Sequence, residues 1–303
     1  MTLGRREKLP PPCFFLAAGY NKARELSEEK GNVMLRYVSD YHTHTYISGD
    51  SKSTLMENAR AAQAAGVAEL CMTEHWNLLD QQGNRLPTSY DFAPVLQQWR
   101  RLRNRLAGQV ELRVGIEVGN STVDTQAVGK CLELPQLDFV IGSLHSTSLS
   151  YGGIGIYTAA KACTSRQGAE AILEDYIRQL EELAVTRSYD VLGHIIYPLR
   201  YLPAEYQLTL EPWEDRLAAL LRQVIDSGRG IELNTTQGTT VEGWQWLLKL
   251  YRDLGGEIIT LGSDAHQARY IGAGFSQALA MLEACGFRWV ATYRRHTPCF
   301  HAL

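Results

Sequence analysis

Two histidines one residue apart, His42 and His44 in "SDYHTHTYISGD", close a β-prone run, and Asp50 follows six positions later. Residues two apart on a strand face the same way, so the pair aims two imidazoles at one point. The same residue types recur along the chain. They are Glu74-His75 in "TEH", Glu117 in "GIE", His145 in "GSLH", His194 in "GH", and Asp264 and His266 in "GSDAH". Taken singly, each has a plainer reading: a strand-end histidine is more often a hydrogen-bonded structural residue, and Glu117 or Asp264 alone reads as a helix-start carboxylate. Six of the eight histidines nevertheless fall at predicted strand ends, which gather around one pocket if the strands form a barrel. Six imidazoles in one pocket repel when protonated and lack partners when neutral; a shared metal centre removes both problems. The candidate ligands are His42, His44, Asp50, His75, Glu117, His145, His194, Asp264 and His266.

A catalytic zinc takes about three protein ligands and keeps a position open, so this inventory implies two or three ions. Three divalent ions against Asp50, Glu117 and Asp264 leave about three surplus positive charges, which suits a phosphate dianion with a hydroxide and disfavours a neutral amide or sugar. The implied chemistry is metal-assisted phosphoester hydrolysis.

The elements that must position these residues alternate β-rich runs with amphipathic helices, the pattern of parallel strands with crossover helices. Seven strands are expected, at residues 37–42, 68–73, 110–117, 139–143, 191–194, 230–234 and 257–263. Between them, "STLMENARAAQAAG" opens on Ser53 as N-cap and closes on Gly66, and two further helices end at Gly228 and Gly255-Gly256. Asp264 and His266 share a direction if the last strand runs on. Seven β/α units suit a closed or nearly closed barrel with its site at the carboxyl ends of the strands. An open doubly wound sheet is the alternative, with polar residues on two or three strand ends only.

Composition is that of an ordinary globular chain: 303 residues, 45% hydrophobic, 21% charged, net charge −3. No basic stripe suggests nucleic acid, and no run reaches the length of a membrane span, so a small substrate and a cytoplasmic location are expected. The six cysteines show no CxxC spacing and read as structural thiols. Residues 1–33, with their Pro triplet and polar "NKARELSEEKGN", read as a disordered extension ahead of a catalytic barrel at 34–303; Met34 is a candidate start, because codons for Lys30-Gly31 can form a ribosome-binding site. Mass spectrometry of the native N-terminus decides that point.

The ordered set "DYHTHT", "TEH", "GIEV", "DFVIGSLH", "VLGHIIYPLRY", "GIELNT", "GGEIITLGSDAH" and "GFRWVATYRRHTP" resembles the PHP (polymerase and histidinol phosphatase) superfamily, specifically its histidinol-phosphatase branch. The resemblance spans most of residues 36–298. It implies a distorted (β/α)7 barrel with three divalent metal ions (zinc, manganese or iron) and hydrolysis of L-histidinol phosphate to L-histidinol and phosphate, in histidine biosynthesis. By position it implies His42, His44, Glu117 and Asp264 around a first ion, Glu117 with His145 and His194 around a second, and Asp50, His75 and His266 around a third. Arg166, ahead of "AEAILEDYIRQL", and Arg200, in "YPLRY", match arginines of relatives and suit a phosphate; Lys161 is a weaker candidate. Protonation of the departing alkoxide is open between a bound water, Asp264 and a nearby histidine. Glu74 either orients a ligand histidine or closes its strand.

Two segments depart from the family pattern, "TQGTTVEGW" after the sixth run and "SYGGIGIYTAAKACTS" after the fourth, so the leaving group is less defined than the hydrolysis. "GGIG" lacks the following helix of a phosphate-cradling loop. The competing functions are a PHP phosphoesterase acting on another small metabolite or nucleotide, a mononuclear amidohydrolase, and a non-catalytic metal-binding barrel. His296 and His301 read as exposed or locally satisfied.

Overall fold

The computed structural model describes residues 36–186, 188–239 and 241–303. The expected extension at 1–33, the candidate start at Met34 and Cys13 lie outside the described residues.

Strands β1 (Val38–Thr43), β2 (Val67–Met72), β4 (Glu111–Gly119), β5 (Phe139–Ser143), β6 (Val191–Leu192), β7 (Gly230–Asn234) and β8 (Ile259–Gly262) pair in that order, each parallel to the next. A short β3 (His75–Asn77) carries β2 onward, pairing with β4 at His75–Glu117 after β2 has paired further back at Met72–Val114. The break between them, at Thr73-Glu74, turns His75 toward Glu117.

The ring closes between β1 and β8 by few backbone bonds: His44 N–H donates to the Ala265 carbonyl (3.0 Å) and Asp264 N–H to that of His42 (2.9 Å). Asp40 completes the seam, accepting from the backbone N–H of Ser263 (3.0 Å) and Gly272 (2.9 Å). Its burial pushes its pKa up to about 6 despite those donors. The architecture is thus the expected (β/α)7 barrel, nearly closed, and the open sheet is set aside.

Helices α1 (Leu55–Ala64), α2 (Ala93–Leu102), α3 (Thr125–Cys131), α4 (Ile156–Ala162), α5 (Arg166–Ala184), α6 (Glu214–Asp226), α7 (Gln245–Asp253) and α8 (Phe275–Ala284) cover the strands. Leu, Val and Ile side chains facing them make the main core. The α1 cap is Thr54, not Ser53: Thr54 and Glu57 form a reciprocal capping box, while Ser53 Oγ accepts from Ala268 N–H.

One element was absent from the sequence reading. β9 (Trp289–Arg294) and β10 (Thr297–Ala302) form an antiparallel hairpin. Ala291, Tyr293 and Phe300 join Tyr41, Phe139, Ile141 and Val191 in a second apolar cluster that fills the barrel at the end away from the strand tips. His301 is accordingly buried, stacked on Tyr37 at 3.9 Å and bonded to Thr292 Oγ1; it is locally satisfied, not exposed. His296 Nδ1 meets Asp190 Oδ2 at 2.9 Å. Cys71, Cys131, Cys163 and Cys285 are free thiols. No helix among the described residues is long and apolar enough to cross a membrane.

Candidate metal centre

All nine candidate ligands converge at the carboxyl ends of the strands. His42 Nε2 lies 3.2 Å from Glu117 Oε2 and 3.6 Å from Asp264 Oδ1; His44 Nε2 lies 3.7 and 3.5 Å from the same atoms. A second set faces the other oxygen of Glu117. His145 Nε2 and His194 Nε2 are 3.0 and 2.9 Å from Oε1 and 3.2 Å from each other. In the third set, His75 Nε2 and His266 Nε2 are 3.2 and 3.3 Å from Asp50 Oδ2 and 3.3 Å apart. Donors about 2.0–2.1 Å from one ion in tetrahedral array stand about 3.3–3.4 Å from one another, and the spacings within the sets lie on either side of that value, from 2.9 to 3.7 Å.

The donors also fit ions chemically. His42 Nε2, His44 Nε2 and Glu117 Oε2 are buried with no hydrogen-bond partner. His75 Nδ1 is another: it sits 2.7 Å from Glu117 Oε2 without a hydrogen-bonding angle. Unpaired buried donors and acceptors are costly, and four in one place point to an absent common partner.

In four of the six rings the opposite nitrogen is engaged by the protein; His194 Nδ1 has no hydrogen-bond partner. Nδ1 of His42 meets Glu232 Oε1 (2.6 Å), that of His145 meets Asn77 Oδ1 (2.7 Å), that of His266 meets the Asp264 carbonyl (3.0 Å), and that of His44 meets Ser48 Oγ (3.2 Å). Such contacts put the proton on Nδ1 and leave Nε2 as the free lone pair. Ser143 donates to Glu117 Oε1 (2.7 Å).

Exposure grades the sets. Side chains of His194 and Glu117 are 1% exposed, whereas Asp50 is 56% and His266 24% exposed, so the third set faces the mouth. Burial raises the Glu117 carboxyl, but the imidazoles of His42, His145 and His75 outweigh it and hold it well below its usual range. Asp264 and Asp50 are lowered likewise, against burial, by His42, His44 and Arg200 and by His266 and His75 respectively. Burial lowers His42, but Glu232, Glu117 and Asp264 raise it well above normal; Glu117 and Asp50 bring His75 up to about 10 in the same way. His44 and His145 are pushed down, first by burial. Without ions, then, the centre must hold protons unevenly among its rings.

Local structure places several residues by routes the sequence did not suggest. β8 ends at Gly262 and Asp264 adopts φ 57°, so Asp264 and His266 do not point together by strand alternation; they enter different sets. Glu74 takes the N–H and hydroxyl of Thr45 and the Ser48 hydroxyl (2.5 Å), and through Ser48 it holds His44. Glu232 is a residue sequence reasoning missed. Besides His42 it binds His194 N–H (2.9 Å) and the Asn234 amide. A charged residue amid the fully buried β7 was its only signal. Its negative charge also reduces the surplus counted from three carboxylates, and Arg200 restores it.

Arg200 is buried against the centre, donating to Asp264 Oδ2 (3.2 Å) and Asn234 Oδ1 (2.7 Å) with Nε unpartnered. Arg166 is the first residue of α5 and 59% exposed, bonded to Glu170 and the Tyr206 carbonyl, so these contacts do not join it to the cluster. Lys161 Nζ lies over the Tyr157 ring at 4.4 Å. In "GGIG" a Cβ on Gly155 would meet Gln81 Oε1 at 1.7 Å, and across from it a Cβ on Gly83 would meet the Gly152 carbonyl at 2.4 Å, so the loops after β3 and β5 approach closely at these glycines.

The PHP domain family matches residues 40–236. The histidinol-phosphatase of Lactococcus lactis is 26% identical over 258 residues, covering 84% of this chain and 93% of that protein. A probable histidinol-phosphatase of Clostridium acetobutylicum is 26% identical over 265 residues, covering 85% and 98%. Among solved structures, the histidinol phosphate phosphatase of Lactococcus lactis, complexed with zinc, L-histidinol and phosphate, superposes with a TM-score of 0.74 at 24% identity, covering 86% of this chain and 98% of that one.

Proposed function

Since the chain belongs to the PHP domain family, we propose that residues 34–303 form one catalytic barrel, a metal-dependent phosphomonoesterase that hydrolyses L-histidinol phosphate to L-histidinol and phosphate. The observation that carries this reading is three adjacent donor sets, two of them sharing Glu117, with orphaned ring nitrogens and a buried arginine beside them. The relatives supply the substrate: curated histidinol-phosphatases align over most of this chain.

In this reading His42, His44, Glu117 and Asp264, then Glu117, His145 and His194, then Asp50, His75 and His266 hold three divalent ions, of zinc, manganese or iron. Bound there, the ions supply positive charge for phosphoryl oxygens and acidify a water near neutral pH. The protein's own part is positional. Glu232, Asn77 and Ser48 fix the ring planes so that lone pairs converge before substrate arrives. Arg200, braced by Asp264 and Asn234, presents its guanidinium to an equatorial phosphoryl oxygen. Arg166, exposed at the start of α5, would have to leave Glu170 and the Tyr206 carbonyl to serve as a secondary phosphate contact. Asp264, ionised beside Arg200, would first accept a proton from the attacking water and then pass it to the departing alkoxide.

A second reading keeps the centre and changes the leaving group, because the loops at "TQGTTVEGW" and "SYGGIGIYTAAKACTS" depart from the family pattern. One experiment separates these possibilities: metal content and phosphate release from L-histidinol phosphate and a panel of nucleoside monophosphates, on one preparation, with His145→Ala beside the wild type. Two or more equivalents of metal and turnover of histidinol phosphate that falls by orders of magnitude in the variant are expected. Turnover unchanged in the variant rules the centre out as the catalyst; bound metal with no hydrolysis of any ester favours a non-catalytic barrel.

A further inference from the structure

The end of the barrel opposite the metal centre carries a second concave site. A cavity of about 530 Å³ opens there between the last turn of α2, the start of β4, the loop before β5 and the β9–β10 turn. Four arginines from three separate segments line it: Arg100, Arg103, Arg113 and Arg295. In a chain of net charge −3 this is a local excess that bulk composition conceals, contributed in part by "WRRLRNR".

The excess is only partly neutralised. Among the described residues Arg100, Arg103 and Arg295 make no ion pair with a carboxylate, and Arg113 uses Nε on Glu69 and Nη2 on Glu111, leaving Nη1 without a protein partner. Asp138, the one acid among the lining residues, offsets one of the four charges while accepting from Val114 N–H (3.3 Å) and Arg295 N–H (3.2 Å), which leaves the lining with a net positive balance.

Three of the four arginines are also held in place. The Arg103 guanidinium lies over the Trp99 ring at 4.4 Å, and that ring is pinned by its own N–H on the Leu112 carbonyl (3.0 Å). Glu69 anchors Arg113. Arg295 sits in the two-residue hairpin turn with φ 47°, beside His296 with φ 62°. Such a turn favours Asn-Gly, and filling both positions with bulky residues is strained. The strain persists because Asp138 and Asp190 grip the turn, and it holds Arg295 over the cavity. Basic residues in the last turn of α2 complement its dipole, which accounts for Arg100 or Arg103 but not for Arg113 and Arg295.

We infer that this cavity is a second anion site, built for a di- or triphosphate group and separate from the metal centre. Like charges drawn together from distant segments are unfavourable until an anion lies between them. Planar guanidinium forks suit phosphate oxygens, and the volume exceeds what a single phosphate fills.

The test titrates metal-loaded protein with magnesium pyrophosphate and, separately, magnesium ATP, comparing the wild type with R100A/R295A. Magnesium saturates the chelating oxygens, and any binding at the metal centre is common to both proteins. Both substituted residues are exposed and bear no core contacts, and circular dichroism verifies the fold. Saturable binding that weakens at least ten-fold in the double variant, with phosphatase turnover unchanged, is the expected result. Equal affinity for the two probes assigns recognition to the phosphates alone, and tighter ATP assigns the nucleoside a share; either supports the site. Identical binding by wild type and variant, or no saturable binding, overturns it.

Discussion

Two buried glutamates, one at each end of the barrel, show opposite solutions to the same cost. Glu69, near the start of β2, is surrounded by complements: Arg294 grips both oxygens (2.5 and 2.7 Å), Arg113 adds a contact at 3.2 Å, and the hydroxyls of Tyr37 and Tyr41 donate to it. Burial pushes its pKa up, but Arg294 and Arg113 outweigh that and bring it down to about 2. Glu117, at the end of β4, is equally buried and meets no lysine or arginine, only the Ser143 hydroxyl and imidazoles whose facing nitrogens cannot all donate to it. The first carboxylate is finished by the polypeptide. The second keeps a buried oxygen without a hydrogen-bond partner, as a cation-binding carboxylate would, and that difference separates a structural ion cluster from a candidate binding centre.

The comparison is best broken by exchanging charge for shape at each end. Glu117→Gln should reduce turnover of histidinol phosphate by about 1,000-fold or more and remove at least two equivalents of metal, because one residue serves two donor sets. Melting of the metal-free variant should differ little from that of metal-free wild type. Metal analysis with calorimetry checks both, and a variant that keeps its metal and rate places the chemistry elsewhere.

Glu69→Gln should do the reverse. It leaves Arg294 and Arg113 uncompensated and should cost about 3–5 kcal/mol of stability in denaturant titration, with the rate per folded molecule unchanged.

Acid sharpens the contrast further. The Glu69 pKa is depressed from 4.5 to about 2, so its contribution is complete above pH 4.5 and is lost as pH falls through 2. His301, on the hairpin, is lowered by burial from 6.5 to about 4. The unfolded chain therefore takes up that proton first, and stability drops as pH falls from 6.5 to 4, by about 3 kcal/mol. Replacing His301 by Gln should flatten that interval and leave the lower one, as read from unfolding midpoints against pH.

The smallest effect concerns a residue that binds no ion in this scheme. Glu232→Gln should weaken metal affinity by about 10–100-fold, measured by competition with a chromophoric chelator, while Glu232→Ala weakens it more. Equal affinity in wild type and both variants removes Glu232 from the ring-positioning role.

What was readable before folding was local. His42 and His44 were found because the two-residue period of a strand is short-range, and the other candidates because they stand at the tips of runs whose β character is itself local. The hairpin was missed because its turn, Arg295-His296, contains neither Gly nor Asn; backbone held by Asp138 and Asp190 substitutes for the usual turn chemistry. Asp264 was placed correctly near the centre for a reason that failed, since the strand stops short of it and a left-handed backbone turns it inward.

By itself the sequence determined the donor types, their placement at strand ends and the alternation that demands a parallel barrel, because each depends on neighbours a few residues away. Only the tertiary structure shows that the nine side chains meet in one place and which residues aim them: His42 and Glu232 stand 190 positions apart and meet at 2.6 Å. Periodicity carries no information about such a pair. Closure of the ring brings β1 beside β8 and within reach of β7, and that single topological event creates both the seam at Asp40 and the support behind the centre.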